Sequence, residues 1–191
     1  MQAVNFKGSA QLIALLDEAV RRADPHKTTQ AIKDALCRLI REREILLPEC
    51  LARPSAGDDY ARRLLYRSEE LGYTVVAMTW GPGQGTPIHD HSGMWCVEGV
   101  WQGQIEVEQY EIREHADERY RFEHCGTLQA GVGSAGCLIP PHEYHRICNP
   151  LADQSSISLH IYGGEMSACH VFAPAGDDWY MRSAKPLSYT I

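Results

Sequence analysis

Paired cysteine spacing is what this chain most clearly lacks. Its seven cysteines, at positions 37, 50, 96, 125, 137, 148 and 169, form an odd set with no CxxC among them. Neither a disulfide framework nor a zinc ribbon is expected from such a set. Most are expected to be small core residues, as free cysteines commonly are. The opening residues Met1 to Lys7 carry no apolar stretch of the kind that leads a secreted chain. A reducing, cytoplasmic setting is the expectation that follows.

Other absences narrow the function. No apolar run approaches the length of a membrane span, so no membrane partner is expected. Positive charge is in deficit: 18 Lys and Arg against 25 Asp and Glu give a formal net charge of −7. A phosphate-covered partner is repelled by such a surface, which argues against nucleic acid. There is no internal repeat, low-complexity tract or linker. With 191 residues, 44% of them hydrophobic, the chain suits one globular domain with a real core. The sequence is silent on oligomeric state.

Two textures divide that domain. Residues 1–57 read as a helical flank. Ser9 is placed to cap a helix carrying Leu12, Ile13, Leu16 and Val20, one turn apart. Pro25 interrupts, and Thr28 or Thr29 starts a second helix with Ile32, Leu36, Leu39 and Ile40 on one face. Lys33, Arg38, Arg41, Glu42 and Arg43 form its solvated face, and Pro48, Pro54 and Gly57 mark the exit. Residues 58–191 read as short strands broken by Gly and Pro: Tyr73 to Trp80, Met94 to Trp101, Gln104 to Ile112, Arg119 to Glu123, Cys137 to Ile139, Ser155 to Tyr162 and Ala168 to Phe172. A mainly β fold is expected, a small barrel or jelly roll with N-terminal helices.

Against this background His89-Asp90-His91 stands out. In a strand, residues i and i+2 share a face, so the two imidazoles converge while Asp90 points away. Alone the pair is a weak signal, since HxH also occurs on ordinary surfaces. Its setting strengthens it. Gly83, His89, His91, Cys96 and Gly103 reproduce the spacing of the first cupin motif, with Cys96 where many cupins carry a metal-binding Glu. A second cupin motif runs from Pro140 to Asn149 and offers His145 as third ligand. His142 replaces the usual Gly there and Ser134 replaces an earlier one, which makes His142 a competing candidate in the wrong register. Three neutral imidazoles suit iron or zinc, so ligand type alone does not choose the metal.

A second constellation lies in the run to Tyr162. Ile157, Leu159 and Ile161 share one face; Ser158, His160 and Tyr162 share the other. If the aliphatic face meets core, the polar row faces a cavity. Each of its members then needs a partner, because an unpaired buried polar group costs about 1–3 kcal/mol. A Ser–His–Tyr relay reaching a metal-bound ligand meets that need; an exposed polar face is the plain alternative. Upstream, Arg62 and Arg63 alternate, so only one of them points inward.

Taken together, Trp80-Gly81-x-Gly83, Ile88-His89-Asp90-His91, Cys96, His145-Arg146, Ser158-x-His160-x-Tyr162, Cys169-His170-Val171-Phe172 and Tyr60-Ala61-Arg62-Arg63-Leu64 resemble the cysteine dioxygenase family over residues 60 to 172. The resemblance implies a cupin that holds Fe(II) on His89, His91 and His145 and adds both atoms of dioxygen to the sulfur of a small thiol, giving a sulfinate. It further implies that Arg62 grips the substrate carboxylate, that Tyr60 and Trp80 shape the pocket, and that Tyr162, steadied by His160 and Ser158, donates a hydrogen bond to oxygen or carboxylate. In mammalian members a Cys at the Cys96 position forms a thioether with the Tyr matching Tyr162, so a Cys96–Tyr162 crosslink is implied as well.

One departure bears on the substrate. Gly163-Gly164-Glu165 stands where mammalian members have Ser-Pro-Pro. L-Cysteine leads, mercaptosuccinate is the main alternative, and 3-mercaptopropionate is disfavoured by Arg62, where its dioxygenases carry Gln. Outside this chemistry stand a zinc- or manganese-dependent cupin isomerase or hydrolase and a non-catalytic ligand-binding cupin.

Overall fold

The computed structural model describes residues 4–55 and 59–190, so Gly57 lies outside the described residues. Helix α1 spans Ser9–Val20 and α2 spans Pro25–Arg41. A short 3-10 turn at Glu49–Ala52 leads into eleven strands. These are β1 Ala61–Arg67, β2 Thr74–Trp80, β3 Ile88–His89, β4 Cys96–Gln102, β5 Gln104–Ala116, β6 Arg119–Gly131, β7 Ala135–Leu138, β8 His145–Cys148, β9 Ser156–Tyr162, β10 Ala168–Pro174 and β11 Trp179–Pro186.

The helix starts differ from expectation by local capping chemistry. Ser9 is the first helical residue rather than the cap; Gly8, in the left-handed region at φ 83°, precedes it. Pro25 does not interrupt but opens α2, because the first helical position has no N–H bond to lose. The Asp24 side chain accepts the backbone N–H of Lys27 there. Thr28 and Thr29 consequently fall in the first turn, buried. The apolar face is as read: Ile32, Leu36, Leu39 and Ile40 are all buried. No helix among the described residues is long and apolar enough to cross a membrane.

The chain is mainly β, a five-stranded sheet beside a small closed barrel. One antiparallel sheet has the order β1-β2-β9-β4-β7, and the second closes on itself in the order β10-β11-β6-β5-β8-β3. Strand β9 is buried along its whole length, which explains its two-sided pattern. Ile157, Leu159 and Ile161 pack with Leu12, Leu16, Ile32, Leu36 and Leu39 of the helices. The other face joins an inner cluster in which Val76, Met78, Trp80, Cys96 and Tyr162 meet Ile147 and Cys169 of the second sheet. The helices are therefore the core layer that turns Ser158, His160 and Tyr162 toward the interior.

Four strands were not marked out individually by the sequence: β1, β3, β8 and β11. β3 has two residues and β8 four, too short for any periodicity to show. Strand β6 runs on to Gly131, well beyond Glu123, mostly exposed and paired along its length with β5, which itself pairs with β8 on its other side. Its pairing partner, not an apolar pattern, keeps it extended. All seven cysteines are free thiols, but only Cys96 and Cys169 are buried, and Cys50 and Cys125 are exposed. The expectation that most sit in the core fails there.

Candidate metal centre and substrate pocket

The two-residue strand β3 is held on both sides. His89 pairs with Val171 of β10 and with His145 of β8. The strand stops at His89, so His91 does not reach the cluster by strand alternation as expected. It is delivered by a loop clamped to β10. Asp90 accepts the His170 backbone N–H at 2.8 Å through Oδ1 and faces His170 Nδ1 at 2.8 Å through Oδ2. The Ser92 hydroxyl donates to the Ala168 carbonyl at 2.7 Å. Asp90 thus points away from the cluster and fixes the bend.

The three imidazoles converge. One ring nitrogen from each of His89, His91 and His145 lies within 4.8 Å of the others. His91 and His145 are each 1% exposed, and His89 is partly buried. Desolvation lowers the His89 pKa to about 3 and holds His145 well below the usual imidazole value, so these rings are neutral at physiological pH. His89 Nδ1 faces the Pro87 carbonyl at 3.1 Å. A carbonyl only accepts, so Nδ1 carries the proton and Nε2 a lone pair. That lone pair lies 3.1 Å from His145 Nε2. On the far sides of the other two rings stand carboxylates: Glu143 Oε2 is 3.4 Å from His91 Nδ1, and Glu98 Oε1 is 3.7 Å from His145 Nδ1. An oxygen thus stands behind each of the three Nδ1 atoms, bonded at His89 and just beyond reach at His91 and His145, which leaves the Nε2 side of each ring to the cluster. A buried convergence of lone pairs fits a cation, so these residues suit a metal ion.

His142, the competing candidate, is exposed and faces Glu111 at 2.9 Å. It takes no part in the cluster. Asn149 of the second motif is fully buried and structural: its amide donates to the carbonyls of Trp80, Gly81 and Gln154.

The polar row of β9 is connected. Trp80 Nε1 donates to Ser158 Oγ at 2.8 Å, Ser158 Oγ meets His160 Nε2 at 2.8 Å, and His160 Nδ1 lies 3.4 Å from the Tyr162 hydroxyl. All of these side chains are buried. Burial lowers the pKa of His160 and raises that of Tyr162, so both are neutral. Cys96 stands opposite Tyr162 across the β4–β9 ladder.

A narrow pocket joins His160 and Tyr162 of this row to His89. Tyr60, Arg62, Trp80, His89, His160 and Tyr162 line it, with Cys169, Met166 and Leu187. Tyr60 and Trp80 are stacked with ring centroids 4.2 Å apart. Arg62 is 3% exposed, whereas Arg63 turns outward to the carbonyls of Leu51 and Arg53. One Arg62 terminal nitrogen donates to the Met166 carbonyl at 2.7 Å, and the Tyr189 ring lies 4.7 Å from its guanidinium carbon. Its Nε is buried with no hydrogen-bond partner. An orphaned donor on a buried cation is costly, and an anionic ligand would satisfy it. Arg146 and Arg182 are engaged elsewhere, with Glu108 and Glu118.

The sequence reading missed several contributors. Glu98 could have been found, since it shares a strand face with Cys96; Glu143, Met166 and Tyr189 carry no local signal. Burial pushes the Glu98 carboxyl up to about 7. A larger cavity of about 480 Å³ is also lined by Glu98 and Ser158, together with Val100, Ile105, Val107 and Leu138, but by none of the three histidines.

Comparison with known proteins follows the same residues. The family model "Cysteine dioxygenase type I" matches residues 57–175. Cysteine dioxygenase type 1 of Rattus norvegicus and that of Homo sapiens are each 23% identical over 108 residues, covering 52% of this chain and 49% of theirs. The Danio rerio protein of the same description is 23% identical over 110 residues. The chain spans about half the length of the curated relatives it matches. Among solved structures, a conserved double-stranded beta-helix protein from Klebsiella pneumoniae is 16% identical, with a TM-score of 0.47 over 72% of this chain and 96% of that one.

Proposed function

Because the chain belongs to the cysteine dioxygenase type I family, we propose that it is an Fe(II)-dependent thiol dioxygenase acting on a small carboxylate-bearing thiol, with L-cysteine the leading substrate and mercaptosuccinate the second. The observation that carries this reading is the buried, orphaned Arg62 Nε in the same narrow pocket as His89 and Tyr162. A zinc hydrolase or isomerase has no evident use for that cation beside a Ser–His–Tyr row.

Ferrous ion held by His89, His91 and His145 would supply the redox chemistry that lets dioxygen react with a thiol sulfur. The overall conversion is thiol plus dioxygen to sulfinate plus one proton. Arg62 receives the carboxylate and so fixes the end of the substrate remote from sulfur. Tyr60 and Trp80 wall the pocket and leave little room for water. Tyr162, too poor an acid to ionise in this setting, acts as a neutral donor to whatever oxygen or carboxylate lies beside it. Trp80, Ser158 and His160 hold it in place.

Oxygen uptake by the Fe(II)-loaded chain across cysteine, mercaptosuccinate, 3-mercaptopropionate and cysteamine tests the reading. Turnover of a carboxylate-bearing thiol is expected, with cysteamine poor because it offers Arg62 nothing. Silence toward every thiol at full iron occupancy would sink it. Loading with zinc or manganese instead is expected to give no activity; a metal-dependent hydrolysis or isomerisation would favour the other cupin enzymes.

A further inference from the structure

Among the described residues, Glu98 is the one site carboxylate that faces two histidines at once. On β4 it follows Cys96 by two residues and so shares its inward face. In the antiparallel register it stands opposite His160, one step along from the Cys96–Tyr162 pair. Its Oε2 lies 3.5 Å from His160 Nδ1 and its Oε1 lies 3.7 Å from His145 Nδ1. These separations are just longer than a hydrogen bond. The atoms concerned are short of partners: His145 Nδ1 and Glu98 Oε2 are both buried with none. Each has a possible partner just beyond reach: Glu98 Oε1 stands before His145 Nδ1, and His160 Nδ1 stands before Glu98 Oε2.

We propose that Glu98 is a positioning residue that fixes the proton on Nδ1 of both His145 and His160, so coupling a metal ligand to the Tyr162 relay. The inference rests on the metal-site reading given above. Its consequences follow from donor and acceptor counts. With Nδ1 of His145 protonated, Nε2 presents its lone pair to the cluster, as the Pro87 carbonyl ensures for His89. With Nδ1 of His160 protonated, its Nε2 accepts, so the Ser158 hydroxyl must donate to it. Ser158 is then free to accept from Trp80, which can only donate. The chain of bonds closes without conflict. At its other end, His160 Nδ1–H offers Tyr162 no acceptor, so the Tyr162 hydroxyl hydrogen is left for a ligand in the pocket. The opposite tautomer would draw that hydrogen back onto His160.

Glu98→Gln separates these states without changing volume. A Gln amide can accept from one ring only and presents N–H groups to the other. Since the metal pins His145, His160 is expected to change. In the Zn(II)-loaded, full-length chain, nitrogen-15 NMR of the imidazoles should show His160 protonated on Nδ1 in the wild type and on Nε2 in Glu98→Gln. Glu98→Ala, measured by chelator competition, should bind Fe(II) roughly 10- to 100-fold more weakly, the usual cost of losing a carboxylate behind a metal-bound imidazole. A His160 tautomer that is the same in both proteins, or Fe(II) affinity in Glu98→Ala equal to that of the wild type, overturns the proposal. A melt of the metal-free variants shows whether the fold is kept; a buried change that merely loosened the protein would leave the tautomer unaltered. Neither readout uses thiol turnover, so failure of the substrate panel leaves this test standing.

Discussion

Cys96 and Tyr162 stand directly opposite each other on the central strands β4 and β9, both buried in the inner cluster, with the Tyr162 ring centroid 6.2 Å from that of His91. A hydrogen bond from Tyr162 lowers the Cys96 thiol pKa slightly, but burial dominates and holds both groups neutral. With iron held on the three histidines, two such side chains would be placed for oxidative coupling. Joining sulfur to the phenol ring removes one hydrogen from each partner, with dioxygen as oxidant. After turnover with iron, thiol and oxygen, intact mass is expected to fall by two hydrogens, and peptide mapping should join the two residues. Cys96→Ser should show no such loss. Unchanged mass after many turnovers would remove the crosslink from the account.

Arg62 supplies a second prediction. Its guanidinium is held by the Met166 carbonyl and by the Tyr189 ring, and the C-terminal residues are tied to its backbone: Thr190 N–H donates to the Arg62 carbonyl at 2.7 Å. Hydrogen bonds to a charged group contribute about 1.5–3 kcal/mol. Arg62→Ala should therefore lower kcat/KM for a carboxylate-bearing thiol by roughly 10- to 100-fold, the equivalent of that energy. Iron content should be unchanged. Arg62→Lys should recover only part of the loss, since an ammonium cannot serve both Met166 and a carboxylate with the same fork geometry. Equal activity of all three proteins would mean the carboxylate is bound elsewhere.

How far the site was legible follows from where each residue gets its position. The row Ser158, His160, Tyr162 was readable because strand alternation is local and the helices supply the core face that turns it inward. Alternation likewise made it readable that only one of Arg62 and Arg63 points inward, but the choice of Arg62 came from the family resemblance. His91 was found by motif but for an incomplete reason: strand β3 ends at His89, and the Asp90–His170 clamp, a contact between distant segments, completes the geometry. Glu98 was passed over because its meaning depends on the cross-strand register that sets it against His160. The carboxylate absent from the ligand position of the first motif returns behind the ligands, as Glu98 and Glu143. Three neutral imidazoles therefore do not make a site free of negative charge.

Gly85 tests the scaffold of the metal centre. A side chain there would meet Cys148 Cβ at 2.6 Å and the Ile147 carbonyl at 2.7 Å, both on β8. One of these atoms is backbone and the other is anchored directly to it, so neither can swing aside. β8 carries His145 at its start and is bonded to this segment by Thr86 N–H to the Ile147 carbonyl at 2.8 Å. Gly85→Ala is expected to destabilise the chain by about 1–3 kcal/mol, as overpacking does, and to weaken iron binding with it. Gly136→Ala, with open space around the added carbon, is the control and should leave both unchanged. Matching melting temperatures for the two variants would show that β8 yields easily.

Alkaline pH provides a last test, from groups outside the metal cluster. Burial raises Cys169 from 9.0 to about 11 and Tyr60 from 10.0 to about 12. In the unfolded chain both lose their protons near the ordinary values, whereas the native pocket retains them. Between those limits the unfolded state binds fewer protons, so stability falls as pH rises. The contribution is complete below about pH 9 and is lost progressively through about pH 12. Thermal melts of the metal-free chain should therefore be flat with respect to these groups up to pH 9 and decline above it. Cys169→Ala should make that decline shallower without moving its onset, because Cys96, Cys137 and Cys148 are likewise raised by burial and still begin to lose protons near 9 when unfolded. Cys50→Ala, at an exposed thiol, should leave the profile alone. If Cys169→Ala and the wild type decline equally steeply from pH 9, the pocket does not hold that thiol neutral and its walls are wetter than the packing around Cys169 implies.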